Sequence, residues 1–230
     1  MSLGAGAGVE DDGLDPGASP SLITLATRRL RGEYRIDEWG VDPELVDLIH
    51  PVVGMFLHAE IDGAENIPGD GPAVLVANRR VGAVEPLAIQ RAVRLSTARR
   101  VRFLGIPDIA PIGSTLRRLG GAVNSPGELA ALLRAGHLVT VPLGRTWRKP
   151  LRAGSLPPEA LAPVLMLGVP VIPVAVIGGE LTGRWRVIVG EPVESPHGRS
   201  PLALAELTDS TRNGVQALLD EAFPPRWLLG

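Results

Sequence analysis

Five short apolar runs alternate along this chain with stretches of helical spacing, and that alternation constrains the fold more than any other feature. The runs are Ala73–Ala77, Val101–Gly105, Leu138–Val141, Val171–Ile177 and Trp185–Val189. Between them lie helix signals at Pro86–Val93 and Ile112–Leu119, and a capping-box sequence, Ser125-Pro126-Gly127-Glu128, that opens a helix closing at Gly136. A last helix is expected over Leu202–Ala222. Parallel strands need a long crossover between them, usually a helix, so this order predicts an α/β fold with a largely parallel or mixed sheet flanked by helices. No internal repeat interrupts it.

Three regions are expected. Residues 1–20 are rich in Gly, Ala and Asp and read as a disordered tail. Residues 21–60 read as a helical N-terminal arm, with a short surface helix near Thr24–Arg31 and an amphipathic helix over Pro43–Ala59. Leu45, Leu48, Ile49, Val52, Val53, Phe56 and Leu57 give the second helix its spacing of three and four, and Pro51 is a point where it can kink. Its apolar face suits either a core or a membrane surface. Residues 61–230 form the α/β domain. Ala160–Gly179 carries no charge over twenty residues, the length of a bilayer span. Pro163, Gly168, Pro170 and Pro173 interrupt it, so a short helix ending at Gly168 followed by a buried strand is expected instead. The first twenty residues have no apolar run, so no signal peptide is expected and the protein is placed in the cytoplasm.

Composition narrows the chemistry. With no cysteine, thiol nucleophiles, disulfides and Cys-ligated metals are excluded. Lys149 is the only lysine and follows Arg148, so there is no Gly-Lys phosphate loop. No Gly-x-Ser-x-Gly elbow occurs, and the Gly4–Gly8 run does not join a strand to a helix. His50, His58, His137 and His197 lack metal-ligand spacing, and no metal or cofactor is expected. The net charge of −2 conceals a sharp division: residues 1–78 sum to −10, residues 79–152 to +11 and residues 153–230 to −3. A basic centre fits an anionic ligand or an anionic membrane surface. Nucleic acid is not expected as a partner, because three Phe, one Tyr and four Trp offer few stacking platforms.

Four segments then follow in a telling order. Ala73-Val-Leu-Val-Ala-Asn78-Arg79-Arg80-Val-Gly-Ala-Val84-Glu85-Pro86 runs from a strand into a helix start. Leu119-Gly120-Gly121 follows Arg117-Arg118. Thr140-Val-Pro142-Leu143-Gly144-Arg145-Thr146 follows a strand, and Gly168-Val-Pro170-Val-Ile-Pro173-Val-Ala closes the set. With the lead-in Ile61-Asp-Gly63-Ala-Glu65-Asn66-Ile-Pro68, this order resembles the glycerolipid acyltransferase family, the PlsC type that acylates lysophosphatidate. The resemblance covers roughly Gly40 to Glu191.

The family carries Asn-His-x4-Asp in its first block. Its His takes the acceptor hydroxyl's proton, and its Asp orients that His. Here Asn78 is kept, but Arg79 and Val84 occupy the two dyad positions. Imidazole serves because its pKa lies near working pH. A guanidinium has no lone pair to offer and valine orients nothing. Glu85 comes one place after the Asp position, about 100° around if the turn is helical. In the third block Pro142 and Gly144 persist as turn-shaping residues, Leu143 replaces a Glu, and Arg145 falls one place early.

The resemblance therefore implies a divergent, catalytically impaired family member with a cleft for a lipid, acyl or phosphate group. Its ligand-binding candidates are Asn78, Arg79, Arg80, Glu85, Gly144 and Arg145, and no catalytic residue is assigned. Two alternatives stand beside it. One is an active acyltransferase using a non-standard site, with acyl-CoA or acyl-ACP as donor substrate. The other is a membrane-peripheral scaffold, suggested by the basic centre and the amphipathic helix.

Overall fold

The structure is a computed structural model and describes residues 27, 36–79, 84–106, 112–146, 151–179 and 182–223. The chain divides into Met1–Arg35 and Ile36–Gly230. Of the first unit only Thr27 is described, in a helical turn and exposed. The expected tail, most of Thr24–Arg31 and Arg80 lie outside the described residues.

In the second unit, among the described residues, the elements run as follows. Helix α1 (Pro43–Phe56) leads to β1 (His58–Asp62), β2 (Ala73–Arg79), α2 (Glu85–Thr97) and β3 (Val101–Leu104). Then come α3 (Ile112–Arg118), β4 (Gly121–Ala122), α4 (Pro126–Arg134) and β5 (Leu138–Arg145). The chain closes through α5 (Ala162–Leu167), β6 (Val171–Gly178), β7 (Arg184–Val189) and α6 (Pro201–Ala222). The seven strands form one sheet in the order β1-β7-β6-β2-β5-β3-β4. Only β6 and β7 pair antiparallel.

Local chemistry sets most boundaries. Asp42 caps α1, its Oδ1 accepting from the Leu45 N–H at 2.8 Å, and the helix runs on through Pro51. Ser125 caps α4 by accepting from the Glu128 N–H at 3.2 Å, with Pro126 in the first turn. The box is not closed in the usual way. Glu128 Oε2 accepts from Val123 N–H at 3.0 Å, and its Oε1 receives Arg117 Nη1 at 2.8 Å, which ties α3 to α4. Gly168 ends α5 at φ 65°, a left-handed position that suits glycine. The uncharged stretch thus divides into α5 and β6 as expected, and no helix among the described residues is long and apolar enough to cross a membrane.

Two strands escaped the sequence reading. Ala59, expected to end α1, belongs to β1, an edge strand beside β7. His58–Asp62 has little β-branched character; pairing, not local preference, makes it a strand. The two-residue β4 is likewise defined only by its bonds to β3.

The sheet separates two apolar layers. On one face α4, α5 and α6 bury Leu129, Leu132, Val164, Leu207 and Leu219 against Val74, Val76, Val139 and Val141. On the other, α2 buries Ala88, Ile89, Ala92 and Val93 against Leu75, Ala77, Ile172 and Val174. Thus the helix after β2 lies on one face, and those after β5 lie on the other. Adjacent strands whose crossovers depart to opposite faces leave a crevice at their C-terminal ends, the position where α/β sheets hold ligands.

Candidate functional site

The strands that flank this crevice end on arginines. Arg79 closes β2, Arg145 closes β5, and the two are register partners in the ladder, after an irregularity between Ala77 and Arg79. Arg79 is half-buried and Arg145 exposed. A Cβ built on Gly105, just past β3, would lie 3.5 Å from Arg79 Nη1 and 3.3 Å from Pro142 Cγ. The Arg79 head therefore sits over the ends of β3 and β5. Gly105 has φ 93°, so a larger residue there is both strained and crowded.

Arg79 lines a cleft of about 70 Å³ together with Asn78, Glu85, Thr140, Ile89 and Phe103. Burial lowers the Arg79 pKa first, the neighbouring Arg145 charge lowers it further, and Glu85 opposes both. The guanidinium nevertheless stays cationic, as arginine does in proteins. Two like charges held at neighbouring strand ends favour an anion between them, and guanidinium matches carboxylate or phosphate bidentately.

The other candidates fall into place unequally. Asn78 is 3% exposed, and its amide is engaged at both ends: Nδ2 donates to Val176 O at 3.0 Å, and Oδ1 accepts from Val176 N–H. The β2–β6 ladder stops at Ala77↔Val174, so this side chain continues the pairing that the backbone gives up. Val84 starts α2 with helical backbone angles and no side-chain cap bond. Glu85, expected among the ligand-binding residues, is 3% exposed and borders the same cleft as Arg79. Gly144 proves to be a strand residue rather than a turn former. Its amide donates to Ser155 O at 2.7 Å, and a Cβ there would meet Ser155 Oγ at 2.5 Å, so the loop after β5 needs glycine at this position. Pro142 is likewise within β5, paired with Ala77. Leu143, where the family has Glu, is 1% exposed and packed in the layer under α4 and α6.

Thr140 was not among the expected residues. It is 3% exposed, borders the cleft, and its Oγ1 is buried without a hydrogen-bond partner. A hydroxyl in an otherwise apolar strand run, two places before Pro142, was the available signal. With Arg145 on the neighbouring strand end but outside its lining, the cleft thus offers one guanidinium, from Arg79, together with the Glu85 carboxylate, the Thr140 hydroxyl and an apolar floor. It can bind an anionic group; neither the Arg79 nor the Val84 position holds an imidazole or carboxylate for proton transfer.

Comparison with solved structures supports the fold. No protein-family model matches the chain. It is 25% identical to an uncharacterized protein of Mycobacterium tuberculosis, over 84% of this chain and 70% of that one. It is 27% identical to an uncharacterized protein of Mycobacterium leprae, over 84% of this chain and 69% of that one. Among solved structures it is similar to the 1-acyl-sn-glycerophosphate (LPA) acyltransferase PlsC from Thermotoga maritima. That match has a TM-score of 0.57 and 20% identity, and covers 79% of this chain and 82% of the other. The chain carries the acyltransferase fold.

Proposed function

We propose that this chain is a divergent, catalytically impaired acyltransferase homologue whose cleft holds the phosphate or carboxylate head of a lipid or acyl ligand at a membrane surface. The observation that carries this reading is Arg79. It stands at the family's histidine position, borders the cleft, and is aligned with Arg145 across neighbouring strand ends. A guanidinium there binds the anion but takes no proton from an acceptor hydroxyl.

The test is acyl transfer from acyl-CoA or acyl-ACP to lysophosphatidate. Loss of a general base costs about 10²- to 10⁴-fold, and turnover that far below an ordinary PlsC-type enzyme is expected. Turnover within a hundredfold of it would overturn impairment. Arg79→His combined with Val84→Asp returns the dyad residues, and a gain in turnover is expected. A second reading has one observation in its favour: the buried Glu85 carboxylate borders the cleft. If Glu85 serves as the base, wild-type turnover is substantial and Glu85→Gln abolishes it.

Two features support the membrane surface. Met55 and Phe56 end α1 with 71% and 73% of their surfaces exposed. They lie near Gly183, which bonds His58 N–H at the start of β1, and so at the edge of the sheet where β2 and β5 end. The +11 charge of residues 79–152 adds attraction to anionic lipid, at about 1 kcal/mol for each basic residue near the surface. The protein is expected to float with anionic vesicles at low salt and to be released at high salt. Equal recovery with neutral and anionic vesicles would exclude this attraction.

A further inference from the structure

A second cavity, of about 280 Å³, lies between α1, α2 and the N-terminal ends of β3 and β5. The cleft described above opens at the opposite ends of these strands, and the two share no lining residue. Its walls are largely apolar, with Val41, Val46, Ile49, Leu87, Val101 and Leu119 among them. Set into those walls are four guanidinium groups, from Arg91, Arg94, Arg100 and Arg102.

Among the described residues, two carboxylates answer the four cations. Asp37 pairs with Arg102, and Asp47 is shared by Arg94 at 2.7 Å and Arg100 at 3.4 Å. Arg91 Nη1 donates to the His50 carbonyl at 3.0 Å. The guanidinium lies so close to α1 that a Cβ on Gly54 would fall 2.5 Å from its Nη2. Three nitrogens of these lining residues remain buried without a hydrogen-bond partner: Arg91 Nε, Arg94 Nη1 and His50 Nε2. Unpaired buried polar groups are costly, most of all on charged side chains, and native structures rarely keep them without a reason. The cationic character is felt by the ring beside them. Burial, then the Arg91 and Arg94 charges, lower the His50 pKa, with Asp47 opposing.

An apolar wall with an excess of guanidinium donors matches a molecule that has one anionic end and a hydrocarbon body. We propose that this pocket is a second ligand site, for an anionic amphiphile. Its carboxylate or phosphate-monoester head meets Arg91 and Arg94, and its hydrocarbon part lies against Val46, Ile49 and Leu87. The site does not depend on the reading of the Arg79 cleft.

Calorimetric titration of the full chain with decanoate, decyl phosphate, decanol and inorganic phosphate tests it. Decanoate or decyl phosphate is expected to bind. In an Arg79→Gln background, which removes the first cleft's contact with the head group, Arg91→Gln with Arg94→Gln should weaken that binding at least tenfold. Should the double variant misfold, Val46→Trp, which fills the cavity without touching the arginines, should abolish binding with the fold retained by circular dichroism. No binding of either amphiphile overturns the proposal. So do decanol binding as tightly as decanoate, inorganic phosphate binding as tightly as decyl phosphate, or binding that Arg79→Gln alone abolishes.

Discussion

Asn78→Leu is expected to destabilise the protein by about 3–5 kcal/mol, because it leaves two buried backbone groups unpaired at about 1–3 kcal/mol or more each. Leucine has nearly the shape of asparagine, so packing changes little and the loss isolates the hydrogen bonds. The groups are the N–H and C=O of Val176, which is 1% exposed in the middle of β6. Neither can turn to water, and the backbone of β2 no longer reaches them beyond Ala77. For a domain of this size each kcal/mol lowers Tm by about 2–4 °C, so a fall of roughly 10 °C is expected. Denaturant unfolding should show the midpoint falling with the slope unchanged, as for a change confined to the native state. A loss below about 1 kcal/mol would mean that Asn78 is free for a ligand after all.

Gly154→Ala should be nearly as severe. A Cβ at Gly154 would overlap the carbonyl oxygen of Gly144, a backbone atom that no side-chain rotation can move. The loop from Leu151 to Ser155 is fastened on both sides. Ser155 O accepts from Gly144 N–H at 2.7 Å, and Gly154 O accepts from Arg212 Nε at 3.1 Å. Ala153 N–H donates to Gln216 Oε1 at 2.9 Å, which ties the same loop to α6. Relieving the overlap breaks the contact to β5 or shifts the strand end that carries Arg145. Overpacking costs about 1–3 kcal/mol, and a lost hydrogen bond adds about 1, so a loss near 3 kcal/mol is expected. Hydrogen exchange should rise at Gly144 and its neighbours. Gly127→Ala is the control: a Cβ there meets nothing within 4 Å, and its effect should stay within about 1 kcal/mol.

Asn78 falls in the first segment that carries the family resemblance and Gly154 packs on Gly144 of the third, yet both substitutions act on the scaffold and not on chemistry. That distinction separates the residues within one motif. Asn78 and Gly144 hold strands and loops together, whereas Arg79 and Glu85 border the cleft and Arg145 ends the neighbouring strand. Leu143 completes a core layer, so the family's Glu has no counterpart in the cleft at that position.

Much was legible in the chain itself, and for local reasons. β-Branched runs favour strands, proline fits a first helical turn, and glycine tolerates the left-handed closing positions at Gly136 and Gly168. These signals placed β2, β3, β5, β6, β7 and all six helices among the described residues to within a few positions. The absence of an imidazole at position 79 was equally plain, since it concerns the identity of one residue. What pairing decides was not legible. β1 and β4 are strands only because a neighbour bonds them, and Thr140 borders the cleft only because β5 lies between β2 and β3. Arg79 and Arg145 are ladder partners because β2 and β5 pair side by side, in a register that carries an irregularity between Ala77 and Arg79. Handedness and register are properties of elements far apart in the chain, and no local window contains them. The sequence alone determined which chemical groups this protein possesses; the tertiary structure decided which of them meet, because only the paired sheet brings distant strand ends together.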